Sequence, residues 1–373
     1  MTGTTPLWKT IHFLGALCAA AVLLISCQSV PRELEEEPSA EEIRHQLIYV
    51  IHGDGSYLYH TRDGKAHQAD LQALEQAFDT AAALTHAEVF VFHQKSKKRF
   101  VSKTGRFYYF RNGERKNEFS YKRRHSPSIW EDEAAIFHSY HAGNDPTPKT
   151  ALKPLRIFLF FGHQVFETDG LGYYSSYPDE TFGIDELAKG IALFNAQDKT
   201  PNSNSGTDQK EDIFFNLIVL STCRGGTPGT IEMLSPVTRY IIASPENLHL
   251  SYMNMGLLKG LETWNGNYMQ PFYKELVAHA FAELIQLTNT VVSVALYDTG
   301  QVGPYLESIE EEYERRLITN REEGVIPLEY YDCQDDPDFA RKYSGKGVFI
   351  LYRPPLFGRD KMKSYHSGWE CWR

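Results

Sequence analysis

Short apolar runs alternate with amphipathic stretches along most of the 373-residue chain. The segments LIYVI at 47–51, IFLFF at 157–161 and FFNLIVL at 214–220 are continuous hydrophobic runs, which are typical of strands buried on both faces. Apolar residues recur at helical spacing in the intervening stretches, as at 69–81 and 184–194. This alternation predicts an α/β fold, an α/β/α sandwich with a mainly parallel central sheet.

The domain organisation follows from where this pattern starts. We expect one folded domain over 46–373, with a basic insertion near 94–130. Hydrophobic residues make up 42% of the chain and aromatic residues 13%, which is enough for a core and argues against disorder. The formal net charge of −10 argues against a nucleic-acid binder. The five cysteines show no CxxC spacing, so we predict no metal site and no cofactor, and a calcium requirement stays open.

The N-terminal segment predicts where in the cell the protein is located. Residues 1–26 carry Lys9 as their only charged side chain, and their apolar run over 11–25 is short for a membrane-spanning helix and suited to a signal peptide. The run ends in LISC, which resembles the bacterial lipobox and implies lipidation of Cys27, with Cys18 removed in the leader. An ordinary signal peptide or a short anchor helix is the alternative. Residues 27–45 are acidic and form a tether, so we expect attachment to a membrane of the bacterial cell envelope through the lipid alone.

Reactive side chains follow three of the predicted strands. In a parallel sheet such groups collect beyond the carboxyl ends of the strands. His52 ends the first run, His163 follows the IFLFF run, and Cys223 follows the FFNLIVL run in STCRGG. Cys223 is the strongest candidate, because a glycine-rich turn can direct backbone N–H groups at a carbonyl oxygen and Arg224 would favour a thiolate. A buried, inert cysteine is the alternative.

His163 is the natural base for Cys223. Both residues end neighbouring runs and can reach one edge of the sheet, and a Cys/His pair suffices for acyl transfer. Taken alone, His163 in a chain with 14 histidines is better explained as a structural strand-end histidine. The two positions together favour a catalytic dyad.

Five segments in order resemble the clostripain family of cysteine peptidases, in the clan of caspases and gingipains. They are LIYVIHGDGSYLYH, RIFLFFGHQVFETDG, NLIVLSTCRGGTPGTIEML, TRYIIASPENLHLSY and VALYDTGQV, and together they cover about 46–300. The resemblance implies a caspase-like fold and a cysteine endopeptidase acting on peptides or proteins, with Cys223 as nucleophile and His163 as base. It also places Ser244 and Glu246 beside the substrate.

Two departures from that family concern the site. The family has glycine directly after the catalytic histidine, where its N–H assists the oxyanion, whereas here Gln164 follows His163 and Gly162 precedes it. Family members that cut after Arg or Lys carry an Asp two residues before the cysteine, where this chain has Ser221. A hydroxyl cannot replace a buried carboxylate for a guanidinium, so cleavage after a basic residue does not carry over. Ser221, Arg224, Ser244 and Glu246 are therefore candidates for a substrate pocket of unassigned specificity.

Other interpretations remain open from the sequence. An α/β-hydrolase would use the HGDG loop at His52 as its oxyanion loop, Cys223 as its nucleophile and a later base, either His279 or His366. An inactive family member could act as a lipid-anchored binding module through the basic, aromatic segment at 97–130, whose alternative is a solvated hairpin. Cys333 and Cys371 could form a disulfide or remain free thiols.

Overall fold

The computed structural model describes residues 43–53, 58–95, 103–124, 129–141, 153–163, 165, 182–195, 214–264, 268–322, 330–331, 337–369 and 371–372. The predicted signal peptide, the lipidation site Cys27, the loop residue Gln164 and Cys333 lie outside the described residues, as does the side chain of Cys371. Within the described ranges, no helix is both long and apolar enough to cross a membrane. Ile43–Arg373 forms one compact unit.

A nine-stranded sheet runs through the domain in the order β12-β10-β9-β8-β7-β1-β4-β5-β6. The strands are β1 His45–His52, β4 Ala87–Gln94, β5 Thr104–Arg111, β6 Glu114–Lys122, β7 Leu155–Phe161, β8 Phe215–Ser221, β9 Thr238–Ala243, β10 Val292–Asp298 and β12 Val348–Arg353. The five central strands from β9 to β4 are mutually parallel, and two antiparallel strands extend the sheet at each edge. Two short ribbons lie outside this sheet, namely β2 Tyr59–His60 with β3 Ala66–His67, and β11 Tyr330–Tyr331 with β13 Cys371–Trp372. The predicted α/β class with a mainly parallel central sheet is confirmed.

Helices cover both faces of the sheet. They are α1 Ala69–Ala83, α2 Glu131–His141, α3 Ile184–Leu193, α4 Pro228–Leu234, α5 Gln270–Leu287, α6 Thr299–Glu322 and α7 Pro337–Tyr343, with a 3-10 helix at Gly256–Thr263. Helices α1 and α5 and the 3-10 helix share one apolar core with one face of the sheet, and the other helices share a second core with the opposite face. The three layers form the predicted sandwich.

Strand β1 shows why the sheet is covered twice. Its side chains alternate between the two cores, with Ile48 and Val50 in one and Leu47, Tyr49 and Ile51 in the other, and all five are fully buried. Because successive strand residues point to opposite faces, a continuous apolar run can be satisfied only between two layers of helices.

The basic, tyrosine-rich segment folds as a hairpin of β5 and β6 at one sheet edge. Its turn is Asn112-Gly113, with φ angles of 53° and 80°, which suit the type I′ turn that joins two-residue hairpins. Acidic partners neutralise much of the positive charge, for example Glu118, which lies 2.8 Å from Arg106 and 3.0 Å from Arg115. The hairpin is therefore an extension of the sheet rather than a bare cationic arm.

Candidate active site

The predicted dyad lies at the carboxyl ends of two adjacent parallel strands. Strands β7 and β8 pair in a register that sets Phe161 opposite Ser221, and the Gly162 N–H donates to the Ser221 carbonyl at 3.3 Å. His163 lies two residues after Phe161, and Cys223 lies two residues after Ser221. Because neighbouring strands are about 4.8 Å apart, equal offsets bring both residues to the same edge of the sheet.

Tyr59 contacts the imidazole of His163. The Tyr59 hydroxyl lies 3.3 Å from Nε2 and 3.4 Å from Nδ1, and the two ring centroids are 6.2 Å apart. Tyr59 is buried in the β2–β3 ribbon, so its hydroxyl is held in place. The loop before the histidine is tight, because a Cβ on Gly162 would lie 2.8 Å from the Phe160 ring. Gly162 therefore shapes this loop, and its N–H is already used in the sheet.

His52, at the end of β1, is a structural histidine. The Trp130 indole N–H donates to His52 Nε2 at 3.3 Å, so Nε2 is the unprotonated nitrogen. Burial, followed by the nearby Arg123 and His163, lowers the pKa of His52 well below its ordinary value of 6.5. The ring packs edge-on against Phe160 at 4.8 Å. His52 is thus a neutral support for the sheet edge that carries His163.

The Cys223 sulfur lies against the loop that follows β9. It donates to Asn247 Oδ1 at 2.8 Å and to the Leu248 carbonyl at 3.5 Å. The side chain is partly buried, and the cysteine is not part of a disulfide. We call residues 244–253 the β9 loop, and it supplies both of these contacts to Cys223.

The turn after Cys223 is built for close packing. Arg224 adopts the left-handed conformation with φ of 51°, which is uncommon for a residue with a Cβ. Its N–H donates to the Glu246 carbonyl at 3.0 Å, and the Gly226 N–H donates to the Ser244 carbonyl at 3.2 Å. The β9 loop engages these two N–H groups, so neither of them is directed at a substrate carbonyl in this structure.

Two of the pocket candidates are buried supports. The Ser221 hydroxyl accepts the Met253 N–H at 2.8 Å, and its side chain is fully buried. The Ser244 hydroxyl donates to the Glu246 carbonyl at 2.9 Å and lies 3.1 Å from the Ser293 hydroxyl. Both serines fix the path of the β9 loop from inside.

The other two candidates, Arg224 and Glu246, carry charge. Arg224 is partly exposed, and the Glu246 side chain is 17% exposed. Glu246 Oε1 lies 3.4 Å from Nε2 of the buried His366, whose Nδ1 accepts the Gly368 N–H at 2.9 Å. Because Nδ1 accepts this bond, the neutral His366 ring carries its proton on Nε2, which faces the Glu246 carboxylate.

A buried ion pair behind His52 was not predicted from the sequence. The Glu133 carboxylate, 1% exposed, lies 3.4 Å from the Arg123 guanidinium and accepts bonds from Gln94 at 2.6 Å and Tyr121 at 2.8 Å. Asn247 was missed as well. Both depend on contacts between distant segments, for which a single sequence carries no local signal.

The site contains groups that suit nucleophilic chemistry. Among the described residues, no group of three or more His, Cys, Asp or Glu side chains is placed to hold a metal ion. A thiol and an imidazole lie at one edge of the sheet, as acyl transfer requires.

Comparisons with known proteins identify the fold. No family model matches the chain, and no curated protein matches it in sequence. The structure is similar to that of iotapain, a secreted C11 cysteine protease from Bacteroides thetaiotaomicron, with a TM-score of 0.55 and 13% identity over 88% of this chain and 93% of that one. The chain has the fold of a C11 cysteine protease. A secreted C11 cysteine protease from the same organism, in complex with an irreversible peptide inhibitor, matches at a TM-score of 0.46 and 12% identity over 74% of this chain and 70% of that one. An inactive zymogen C11 protease from Parabacteroides distasonis matches at a TM-score of 0.44 and 12% identity over 74% of this chain and 66% of that one.

The C11 fold decides between two of the sequence interpretations. C11 proteases are clostripain-like, so the predicted caspase-like architecture is confirmed. An α/β-hydrolase would need a base after Cys223, but His366 is buried against Glu246 and His279 lies on α5. The histidine whose strand pairs with that of the cysteine is His163, which precedes it.

Proposed function

We propose that this chain is a cysteine endopeptidase with Cys223 as nucleophile and His163 as acid and base. One observation carries the proposal: the two residues follow a matched register pair on adjacent parallel strands at the same offset. Their position beyond the carboxyl ends of the strands is where open α/β sheets bind their ligands. The C11 fold supports the same activity.

The chemistry divides into acylation and deacylation of Cys223. The Cys223 thiol gives its proton to His163, and the thiolate attacks the carbonyl carbon of the scissile peptide bond. The C–N bond breaks as the imidazolium of His163 protonates the leaving amine. His163 then removes a proton from water, whose oxygen attacks the thioester carbon. The C–S bond breaks, and the imidazolium returns its proton to the Cys223 sulfur.

The oxyanion and the substrate side chains need further groups. Because the N–H groups of Gly162, Arg224 and Gly226 are engaged, we assign the oxyanion to the N–H groups of Cys223 and of residues near Gln164. Since Ser221 and Ser244 are buried, contact with the substrate side chain falls to the two charged candidates, Arg224 and Glu246.

The test combines labelling with cleavage. The full-length chain is treated with an iodoacetamide probe, labelled residues are mapped by mass spectrometry, and a peptide library is screened. C223A should abolish site labelling and cleavage, and H163A should lower cleavage by about 10²-fold or more. H279A, a histidine on α5, is the matched control and should cleave normally. Cleavage that survives C223A would refute the proposal, and absence of both labelling and cleavage would favour an inactive member.

We also propose that a lipid on Cys27 anchors the protein in the bacterial cell envelope. The support is the LISC segment after a 15-residue apolar run, followed by an acidic tether that would not bind anionic lipid. Cells grown with an alkyne-labelled fatty acid should label the wild-type protein and not C27A. An unlabelled wild-type protein, or a C27A variant that stays labelled, would refute lipidation at this site.

A further inference from the structure

The sulfur of Cys223 lies beside two oxygen acceptors on the β9 loop. Asn247 Oδ1 at 2.8 Å and the Leu248 carbonyl at 3.5 Å both lie within hydrogen-bonding reach of Sγ. An S–H group can donate to such oxygens, whereas a thiolate can only accept. A bond to the protonated form stabilises that form, so this geometry favours the neutral thiol.

The orientation of the Asn247 amide does not carry this argument alone. A side-chain amide can be turned to exchange its oxygen and nitrogen, but a backbone carbonyl always presents an acceptor. Leu248 is buried, so its carbonyl is held beside Sγ. The sulfur therefore faces a fixed acceptor and, with the Asn247 oxygen toward it, a second one.

The β9 loop is anchored on both sides of these acceptors. The Glu246 carbonyl accepts the Arg224 N–H, and the Met253 N–H donates to Ser221. In contrast, the Asn247 side chain is exposed. It can swing away from Cys223 without unfolding the loop, while the Leu248 carbonyl stays in place.

We propose that Asn247 is a latch that keeps the Cys223 thiol protonated until a substrate displaces it. The inference rests on the proposed function only in taking Cys223 as the nucleophile. Attack on a carbonyl needs the thiolate, so a thiol bonded to Asn247 is at rest. A peptide entering the site competes with Cys223 for the exposed amide of Asn247 and releases the sulfur toward His163.

Among the described residues, the charged and titratable groups of the elements around Cys223 come from five segments. They are Arg224 on its own turn, His163 after β7 with Tyr59 against it, Glu246 and His249 on the β9 loop, and His366 behind Glu246. Substitutions at Asn247 leave all of them unchanged. A difference between N247A and wild type in the pH dependence of the thiol therefore reports the loss of the amide.

The experiment measures alkylation of Cys223 by iodoacetamide against pH in the full chain, with the modified residue identified by mass spectrometry. N247A removes the acceptor, so the rate at pH 7 should rise roughly two- to tenfold, the effect of one hydrogen bond of ordinary net strength, and the midpoint pH should fall. N247D keeps an acceptor and adds negative charge, so its rate should fall below wild type. N254A is the matched control, because the Asn254 amide oxygen accepts the Gly256 N–H instead, and its rate should equal wild type.

The outcomes separate the latch from the peptidase. An N247A rate equal to or below wild type, or an N247D rate above it, overturns the latch. Since alkylation needs no substrate, the rate order N247A, wild type, N247D supports the latch even if no peptide is cleaved. Circular dichroism of each variant shows whether it is folded. If N247A is not, N247D still tests the latch, because an N247D rate above wild type overturns it.

Discussion

Replacing Glu133 by Gln should destabilise the domain far more than an ordinary surface substitution. The carboxylate is 1% exposed and the Arg123 side chain 9% exposed, so the pair is desolvated, and Gln94 and Tyr121 complete its hydrogen bonds. E133Q keeps the shape and removes the charge, which leaves the buried guanidinium beside a neutral amide. Breaking one side of a buried pair costs about 3–5 kcal/mol.

The magnitude converts to a measurable midpoint. Unfolding entropy near 2.1 cal/mol/K per residue gives roughly 0.7 kcal/mol/K for a domain of this size. The expected loss then lowers Tm by about 4–7 °C. Urea unfolding followed by circular dichroism measures the same loss as a free energy.

A double-mutant cycle isolates the pair. R123M removes the cation, and E133Q/R123M removes both charges, so the double variant should be more stable than the sum of the single losses by about 2 kcal/mol. K116M is the matched control, because Lys116 pairs with Glu114 on the exposed face of the hairpin. It should change stability by less than about 1 kcal/mol. If E133Q costs under 1 kcal/mol, or if the single losses add to within about 0.5 kcal/mol, the ion pair does not stabilise the fold as argued.

Three further predictions test the residues around the proposed dyad. Y59F should lower kcat/KM about two- to tenfold without unfolding the protein, because the hydroxyl that contacts His163 is lost; unchanged kinetics would contradict it. The pKa of His52 is lowered in the folded protein, so the unfolded state binds more protons as the pH drops below about 6.5. The free energy of unfolding should therefore decrease there, by up to about 1.4 kcal/mol per pH unit from this group. In H52Q the side chain still accepts from Trp130, and the free energy of unfolding measured with urea should depend less on pH, whereas an equally steep dependence would assign the loss to other groups. S221A leaves a buried N–H of the β9 loop unsatisfied and should cost about 1–3 kcal/mol in urea unfolding; a cost below about 0.5 kcal/mol would show that the loop is held elsewhere.

The elements that the sequence predicts well are those with a continuous local signal. The runs at 47–51, 157–161 and 214–220 correspond to β1, β7 and β8 within one or two residues, because only a doubly covered strand accepts apolar residues on both faces. The position of His163 and Cys223 at one edge of the sheet also follows from these runs, because the carboxyl ends of adjacent parallel strands lie at the same edge.

The parts that the sequence did not predict depend on pairing between distant segments. Strand β12 joins β10 antiparallel across the C-terminal region, and although VFILYR is an apolar run, nothing local selects its neighbour. Asn247 is one polar residue in a loop, and its role appears only when β9 packs beside β8. The buried Glu133 looks like any acidic residue at a helix start until Arg123 is placed against it.

Strand β6 has a consequence for the state of the protein in solution. It forms one end of the sheet, and every residue of Glu114–Lys122 except Tyr121 is exposed, with five of the nine charged. A row of free backbone groups at a sheet edge is a template for aggregation, and charged side chains of both signs oppose the docking of another copy. The hairpin thus acts as a cap against edge-to-edge polymerisation. Neutralising its charges for crystallisation or labelling would remove that protection at the edge of the sheet farthest from β12.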